Sequence, residues 1–286
     1  MWRLNPPAID IPQLYEKCIE GIRDEELLGR LQLALPAVQQ FGTEYVEAAT
    51  AGQLHTFPPA LTVEDVTTAE MSWVYDNRMV RSNSPGRTVY DQIMSAPISS
   101  RCPLCGHRRV STLDHHLPKS RYAAFTIFPF NLVPACKDCN GSKLHLVPSG
   151  PEQSTLHPYF DDVEFGRWLK SSVNEQKPVT VRFWPDAPET WSPPLRARVQ
   201  HHFATFKLGK LYALEAADEL RTIESSVKKL LKAGGTSAVR AFLEESAESC
   251  NETMPNWWRT ATYEALAASE WYCEGTFLEQ PSNESD

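Results

Sequence analysis

The chain has 286 residues, 42% hydrophobic and 22% charged, an ordinary globular composition that fits one or two domains. No apolar run reaches the roughly eighteen residues that would cross a bilayer, and residues 1–13 have neither the basic start nor the apolar stretch of a secretion signal. A cytoplasmic protein with no membrane partner is therefore expected. The net charge of −8 is unevenly spread: residues 1–86 carry −6 and residues 146–286 carry −7, while residues 87–145 carry +5. One basic segment between acidic flanks keeps a phosphate-bearing partner in play.

Leu14, Cys18 and Ile22, followed by Leu27, Leu28, Leu31 and Leu35, recur at three- and four-residue steps and predict helix over residues 11–50. Phe57-Pro58-Pro59 breaks this pattern. Thr62, with Glu64 and Asp65 behind it, reads as the start of another helix, one that buries Met71, Val74 and Tyr75. Residues 82–86 are a loop, and residues 87–94 a short helix leading into the cysteine segment. Residues 147–194 are proline-rich and lack a sustained period. Within them Phe160, Phe165 and Trp168 suggest a short helix, and residues 179–184 alternate as a strand. Helical spacing returns over residues 195–247, broken at Gly234-Gly235, and again over residues 257–272.

Seven cysteines lie at positions 18, 102, 105, 136, 139, 250 and 273. A secreted disulfide scaffold would be shorter and richer in cysteine, and Cys18, Cys250 and Cys273 read as small buried hydrophobes. Cys102/Cys105 and Cys136/Cys139 are Cys-x-x-Cys pairs separated by thirty residues. Both sulfurs of such a pair reach one Zn²⁺ at about 2.3 Å, and four thiolates close its tetrahedron, which makes the ion structural. Its binding energy then becomes folding energy for a segment with little core of its own.

Between and beside the pairs stand Asp114-His115-His116-Leu117-Pro118, a lone Asn131, and Asn140 directly after the last cysteine. Phosphodiester hydrolysis needs a base for water, a cation for the leaving oxygen, and groups that orient phosphate. Histidine suits the first task near neutral pH. A carboxylate and an amide oxygen are hard ligands suited to Mg²⁺ or Mn²⁺.

Residues 113–143 resemble the HNH endonuclease family in its variant with Asn in place of the last His, and the two knuckles match its zinc-stapled members. The resemblance covers roughly a sixth of the chain. It implies an α+β fold in which a small, treble-clef-like ββα-metal core with structural zinc is embedded in mostly helical flanks. It further implies that Asp114 is the first ligand of a catalytic Mg²⁺ or Mn²⁺, His115 the general base, Asn131 the residue fixing the loop that bears the base, and Asn140 the second ligand. His116 is the base if the register shifts by one, although neighbouring strand residues point apart. Otherwise it packs beneath the helix or orients a neighbour. The regions implied are a helical N-terminal region (1–86), the nuclease core (87–147), a mostly helical C-terminal region (148–274) and a disordered acidic tail (275–286).

Arg108, Arg109, Lys119, Arg121 and Lys143 are candidate contacts to backbone phosphate. His107 reads as exposed, His145 and His157 have no assigned role, and Trp257-Trp258 read as core aromatics. The expected function is metal-dependent cleavage of nucleic acid, DNA favoured. The alternatives are a non-catalytic zinc-binding adaptor for nucleic acid or protein, and an RNA-cleaving toxin. The acidic flanks suggest scaffolding or a protein docking surface. The layout is also similar to HNH proteins of prokaryotic antiphage systems such as Septu, in which the partner is an ATPase.

Overall fold

A computed structural model describes residues 1–143 and 147–278. Its class is α+β, with helices around three two-stranded antiparallel sheets. Two compact units divide the chain, Met1–Asp162 and Val163–Asp286. The first holds everything expected of the core, but its limits differ from the sequence reading. Residues 1–86 and 87–147 form one body, and residues 148–162 belong to it. Backbone and side-chain bonds make the join: Leu4 N donates to the Pro158 carbonyl at 2.9 Å, and Tyr159 Oη donates to the Leu132 carbonyl at 2.9 Å. Among the described residues no helix is long and apolar enough to cross a membrane.

The first unit opens with α1 (Ile11–Ile19) and α2 (Glu25–Thr50), capped by Asp10 and Asp24, whose carboxylates accept the backbone N–H of Gln13 and Leu27. Leu31, Ala34, Val38 and Tyr45 form the buried face of α2. Gly42 sits where a Cβ would come within 2.7 Å of the Phe128 ring, so the missing side chain lets that ring lie against the helix. The expected helix start at Thr62 is instead a tight hairpin of β1 (Thr62–Val63) and β2 (Val66–Thr67), with Glu64 at φ +46° in the turn. The stronger signal lies one step later. Thr67 and Glu70 form a capping box that starts α3 (Thr68–Val74), where Met71 and Val74 are buried as expected. A π-helical turn, Tyr75–Val80, follows, and α4 (Arg87–Ser95) leads to the first knuckle.

The strand β3 (Thr112–His115) pairs antiparallel with β4 (Leu132–Ala135) in the register Asp114↔Val133 and His115↔Leu132, and α5 (Lys137–Lys143) follows β4 and packs on β3. Aromatic rings fill the space between this pair and α2: Tyr45 meets Phe125 and Phe128 edge-on at 4.9 and 5.3 Å. Fully buried side chains of this size each contribute about 1.5–3 kcal/mol.

The second unit carries the hairpin β5 (Leu169–Asn174) and β6 (Thr180–Pro185), which contains the expected strand. Around it lie α6 (Pro193–Thr205), α7 (Leu208–Thr253), α8 (Trp258–Ala268) and α9 (Glu270–Cys273), with α7 broken at Gly235 as the sequence suggested. The short helix expected around Phe160, Phe165 and Trp168 is absent. Asn256 fixes that stretch as a non-helical loop: its amide donates to the Val163 and Gly166 carbonyls and accepts from Trp168 N and Leu169 N. Trp258 is buried, while Trp257 is half-buried, and the Arg259 guanidinium lies 5.0 and 5.2 Å from the two rings. The tail expected to be disordered begins in order, as a 3₁₀ turn at Thr276–Leu278 with Phe277 stacked on Tyr272 at 4.4 Å. Residues 279–286, and His145, lie outside the described residues. Cys18 and Cys273 are buried, and Cys250 is half-buried.

Glu70 accepts from Arg30 Nη2 at 2.6 Å and from both Thr67 N and Oγ1 at 2.8 Å. The Arg30 hydrogen bond first, then the Thr67 bonds, hold its carboxyl down to about 2 against an ordinary 4.5. The depressed value means that the carboxylate stabilises the fold at neutral pH, and that this contribution is lost as pH falls from about 4.5 through about 2. Glu70→Ala should cost about 1 kcal/mol at pH 7 through loss of the cap, with the penalty shrinking toward zero by about pH 2. Urea titrations of parent and variant at the two pH values check this.

Candidate active site and metal centre

The first knuckle is a tight turn whose last residue, Gly106, has φ +65°. Trp2 covers it so closely that a Cβ there would meet the indole at 2.6 Å. The second knuckle runs from the end of β4 into α5, and Cys139 N donates to Cys136 Sγ at 3.4 Å. All four cysteines are buried, and their sulfurs lie within 4.8 Å of one another, a group that could hold a metal ion such as zinc. Hydrogen bonding to Cys102 draws the Cys105 and Cys136 thiols down, while hydrogen bonding to Cys105 raises Cys102 and hydrogen bonding to Cys102 raises Cys139. Four thiolates this close repel one another, and a divalent cation in place of the shared protons removes the conflict.

Asp114, His115 and Asn140 come together in a cleft of about 320 Å³ that Tyr75, Asp76 and Lys119 also line. His115, at the end of β3, is half-buried, with Tyr75 edge-on to its ring at 4.6 Å. Its Nε2 lies 2.8 Å from the Thr126 carbonyl oxygen. A carbonyl can only accept, so Nε2 carries the proton and Nδ1 keeps the lone pair. Burial, aided by the positive charges of Lys119 and Lys143, pulls the imidazole down to about 3, so the ring is neutral at physiological pH. His116 points the other way, as strand geometry requires, and packs on the His157 ring at 4.2 Å.

Asn131 is fully buried, and its amide makes three hydrogen bonds to the loop before it and one to α2. Its Nδ2 donates to the Leu117 and Phe125 carbonyls at 2.9 and 3.0 Å, and its Oδ1 accepts from Leu117 N at 2.7 Å and Tyr45 Oη at 3.1 Å. His116 N adds a bond to the Asn131 carbonyl at 2.8 Å. The loop that follows His115 is thus closed at its neck by Asn131. Asn140 is half-buried, and its Nδ2 donates to Thr112 Oγ1 at 3.4 Å, which leaves its amide oxygen available.

The basic residues behave differently from a row of free phosphate contacts. Lys143 is buried, donating to Asp114 Oδ2 at 2.9 Å and to the His115 carbonyl at 2.6 Å. Desolvation raises the Asp114 carboxyl and the Lys143 ammonium counters it, so the two balance each other's charge inside the protein. Arg108 pairs with Asp138 at 2.9 Å, Arg109 donates to the Ser99 carbonyl, and Lys119 pairs with Asp76 at 2.8 Å. Lys119 also lines the cleft, and Arg121 is exposed. His107 is half-buried, not exposed.

The chain is similar to protein ea31 of Escherichia phage lambda. Identity is 28% over 296 residues, covering 96% of this chain and all of the phage protein. No protein-family model matches the chain, and no solved structure does.

Sequence reasoning missed the burial of Lys143, although spacing offered a hint: it stands three residues after Asn140 and shares its helix face. It also missed Tyr75 and Asp76, which reach the cleft through a π-helical turn that leaves no period in the sequence, and the packing of His157.

Metal analysis of the purified chain should find about one tightly held Zn²⁺ per molecule. Cys136→Ser should lose the ion and unfold the first unit, read by circular dichroism and limited proteolysis. A folded, metal-free Cys136→Ser protein would contradict this.

Proposed function

We propose that this chain is a metal-dependent nuclease of the HNH type that hydrolyses phosphodiester bonds, with DNA the favoured substrate, and that the β3–β4–α5 segment with its four-cysteine cluster is its ββα-metal core. The observation that carries the reading is a neutral His115, its Nδ1 lone pair left over, in one cleft with Asp114 and Asn140. A purely structural metal module has no use for that set.

The residues fit a hard divalent cation. Lys143 and the His115 N–H both bond the Asp114 carboxylate, and this carboxylate and the Asn140 amide stand in the same cleft. Two protein oxygens suit Mg²⁺ or Mn²⁺, whose remaining ligands are waters and substrate phosphate. Such an ion, when bound, supplies charge stabilisation for the phosphate and its leaving oxygen. The protein's own part is proton transfer and orientation. His115 Nδ1 takes a proton from the attacking water as the water oxygen bonds to phosphorus and the bond from phosphorus to the leaving oxygen breaks, its electron pair going to that oxygen. The Thr126 carbonyl keeps the ring in the required tautomer. Lys143 holds Asp114 in place through its short bonds to strand and carboxylate. A partner protein, such as the ATPases found beside antiphage HNH proteins, belongs to the same reading and draws on the acidic flanks alone.

The Lys143–Asp114 ion pair favours one other reading, a non-catalytic adaptor in which Lys143 permanently neutralises the buried carboxylate. Four variants separate the two. His115→Ala should lose roughly 10²–10⁴-fold in cleavage rate with fold and zinc retained. Asp114→Ala and Asn140→Ala should lose activity that raised Mn²⁺ partly restores, and His116→Ala should still cut. A dead His116→Ala beside an active His115→Ala would shift the register by one residue, and a parent that cuts nothing with any cation would leave the adaptor.

A further inference from the structure

Asn131 does not act alone. Two residues from outside the 113–143 segment stand behind it, one on α2 and one in the loop after α5. Tyr45 Oη donates to Asn131 Oδ1 at 3.1 Å, and His157 Nε2 lies 3.2 Å from Tyr45 Oη and 3.1 Å from the Phe130 carbonyl. The tautomer follows from the partners. Tyr159 N donates to His157 Nδ1 at 3.3 Å, so Nδ1 is the acceptor and Nε2 carries the hydrogen. The Phe130 carbonyl takes that hydrogen, and Tyr45 shares it while giving its own to Asn131. His157 is itself anchored, its backbone N–H donating to Asp161 Oδ2 at 2.6 Å. Tyr45 and His157 are both buried at 0% and 1% exposure, in surroundings where linked hydrogen bonds reinforce one another.

The series runs on through Asn131 to the base. Asn131 Nδ2 holds the Phe125 carbonyl, the next residue is Thr126, and the Thr126 carbonyl accepts from His115 Nε2. We propose that Tyr45 and His157 are positioning residues for His115: they fix the Asn131 amide, and through it the carbonyl that sets the tautomer and angle of the base. The inference rests on the nuclease reading. It assigns part of the catalytic scaffold to the N-terminal helical region and to the segment after the core. Tyr45 is suited to the task because burial keeps its phenol protonated, and so a donor, far above physiological pH.

Tyr45→Phe keeps the ring and removes one hydroxyl, and His157→Phe removes the Nε2 donor. Both full-length variants should retain the parent's zinc content and KM, while kcat in single-turnover cleavage of DNA with Mg²⁺ falls roughly 10- to 100-fold, the scale on which small misplacements of a catalytic group act. His157→Gln, which restores a donor near Nε2, should recover much of the loss. Amide hydrogen exchange at Leu117 should quicken in Tyr45→Phe and His157→Phe and stay unchanged at the knuckles. Parent-like kcat and Leu117 exchange in both, beside a dead His115→Ala, would overturn this inference alone. A parent that cuts nothing under any condition would overturn the nuclease reading and the catalytic role proposed here with it.

Discussion

The first unit depends on one side-chain amide. Asn131 has two hydrogens and two lone-pair positions, and each finds a partner: the Leu117 and Phe125 carbonyls on one side, Leu117 N and Tyr45 Oη on the other. Fifteen or so residues of loop between β3 and β4 would otherwise be free to shift, and unpaired groups in that buried setting cost about 1–3 kcal/mol each. With the amide in place the two strands pair in a single register, and the Thr126 carbonyl stands where His115 Nε2 can donate to it. The four-cysteine cluster ties down the other end of the same strands, joining the turn before β3 to the start of α5. Between these two anchors stands His115, whose imidazole is kept neutral by burial.

Charge is handled inside the unit to a degree that composition conceals. Residues 87–145 carry +5, which reads as a surface prepared for phosphate. Arg108, Lys119 and Lys143 each have a carboxylate partner, and Arg87 pairs with Asp91 at 2.9 Å. Exposed pairs of this kind contribute little to stability and leave weaker fields for a polyanion. The buried Lys143–Asp114 pair is different, because loss of either member leaves an uncompensated charge in the interior, at a cost of about 3–5 kcal/mol. On the proposed reading, substrate would be held by few cations, since Lys119 in the cleft is already shared with Asp76 and the Tyr75 ring.

Much of this was legible in the sequence. The paired knuckles are a local signal whose spacing points to the four-cysteine cluster, Asp114, His115 and Asn131 stood out through a family resemblance, and the buried helix faces follow from periodicity. Other parts were set by contacts that periodicity does not encode. Thr62 looked like a cap, yet the Thr67/Glu70 box was stronger and the intervening residues became a hairpin. Phe160, Phe165 and Trp168 had helical spacing, but two hydrogen bonds donated and two accepted by the distant Asn256 hold residues 163–169 as a loop. His157 carried no motif at all. Its place beside Tyr45 arises because the chain after α5 returns across the strands, which only the three-dimensional fold reveals. The likeness to the phage lambda protein runs over 96% of the chain, so it takes in this returning segment along with the knuckles.

The cleft is proposed to hydrolyse phosphodiester bonds with a hard divalent cation. The most direct measurement incubates the purified full chain with supercoiled plasmid, linear duplex DNA and RNA, each with Mg²⁺, Mn²⁺ or EDTA. DNA should be cleaved only with Mg²⁺ or Mn²⁺, and cleavage should stop with EDTA at concentrations that leave the zinc in place. Binding of the nucleic acids without cleavage of any of them, with every cation supplied, would contradict it.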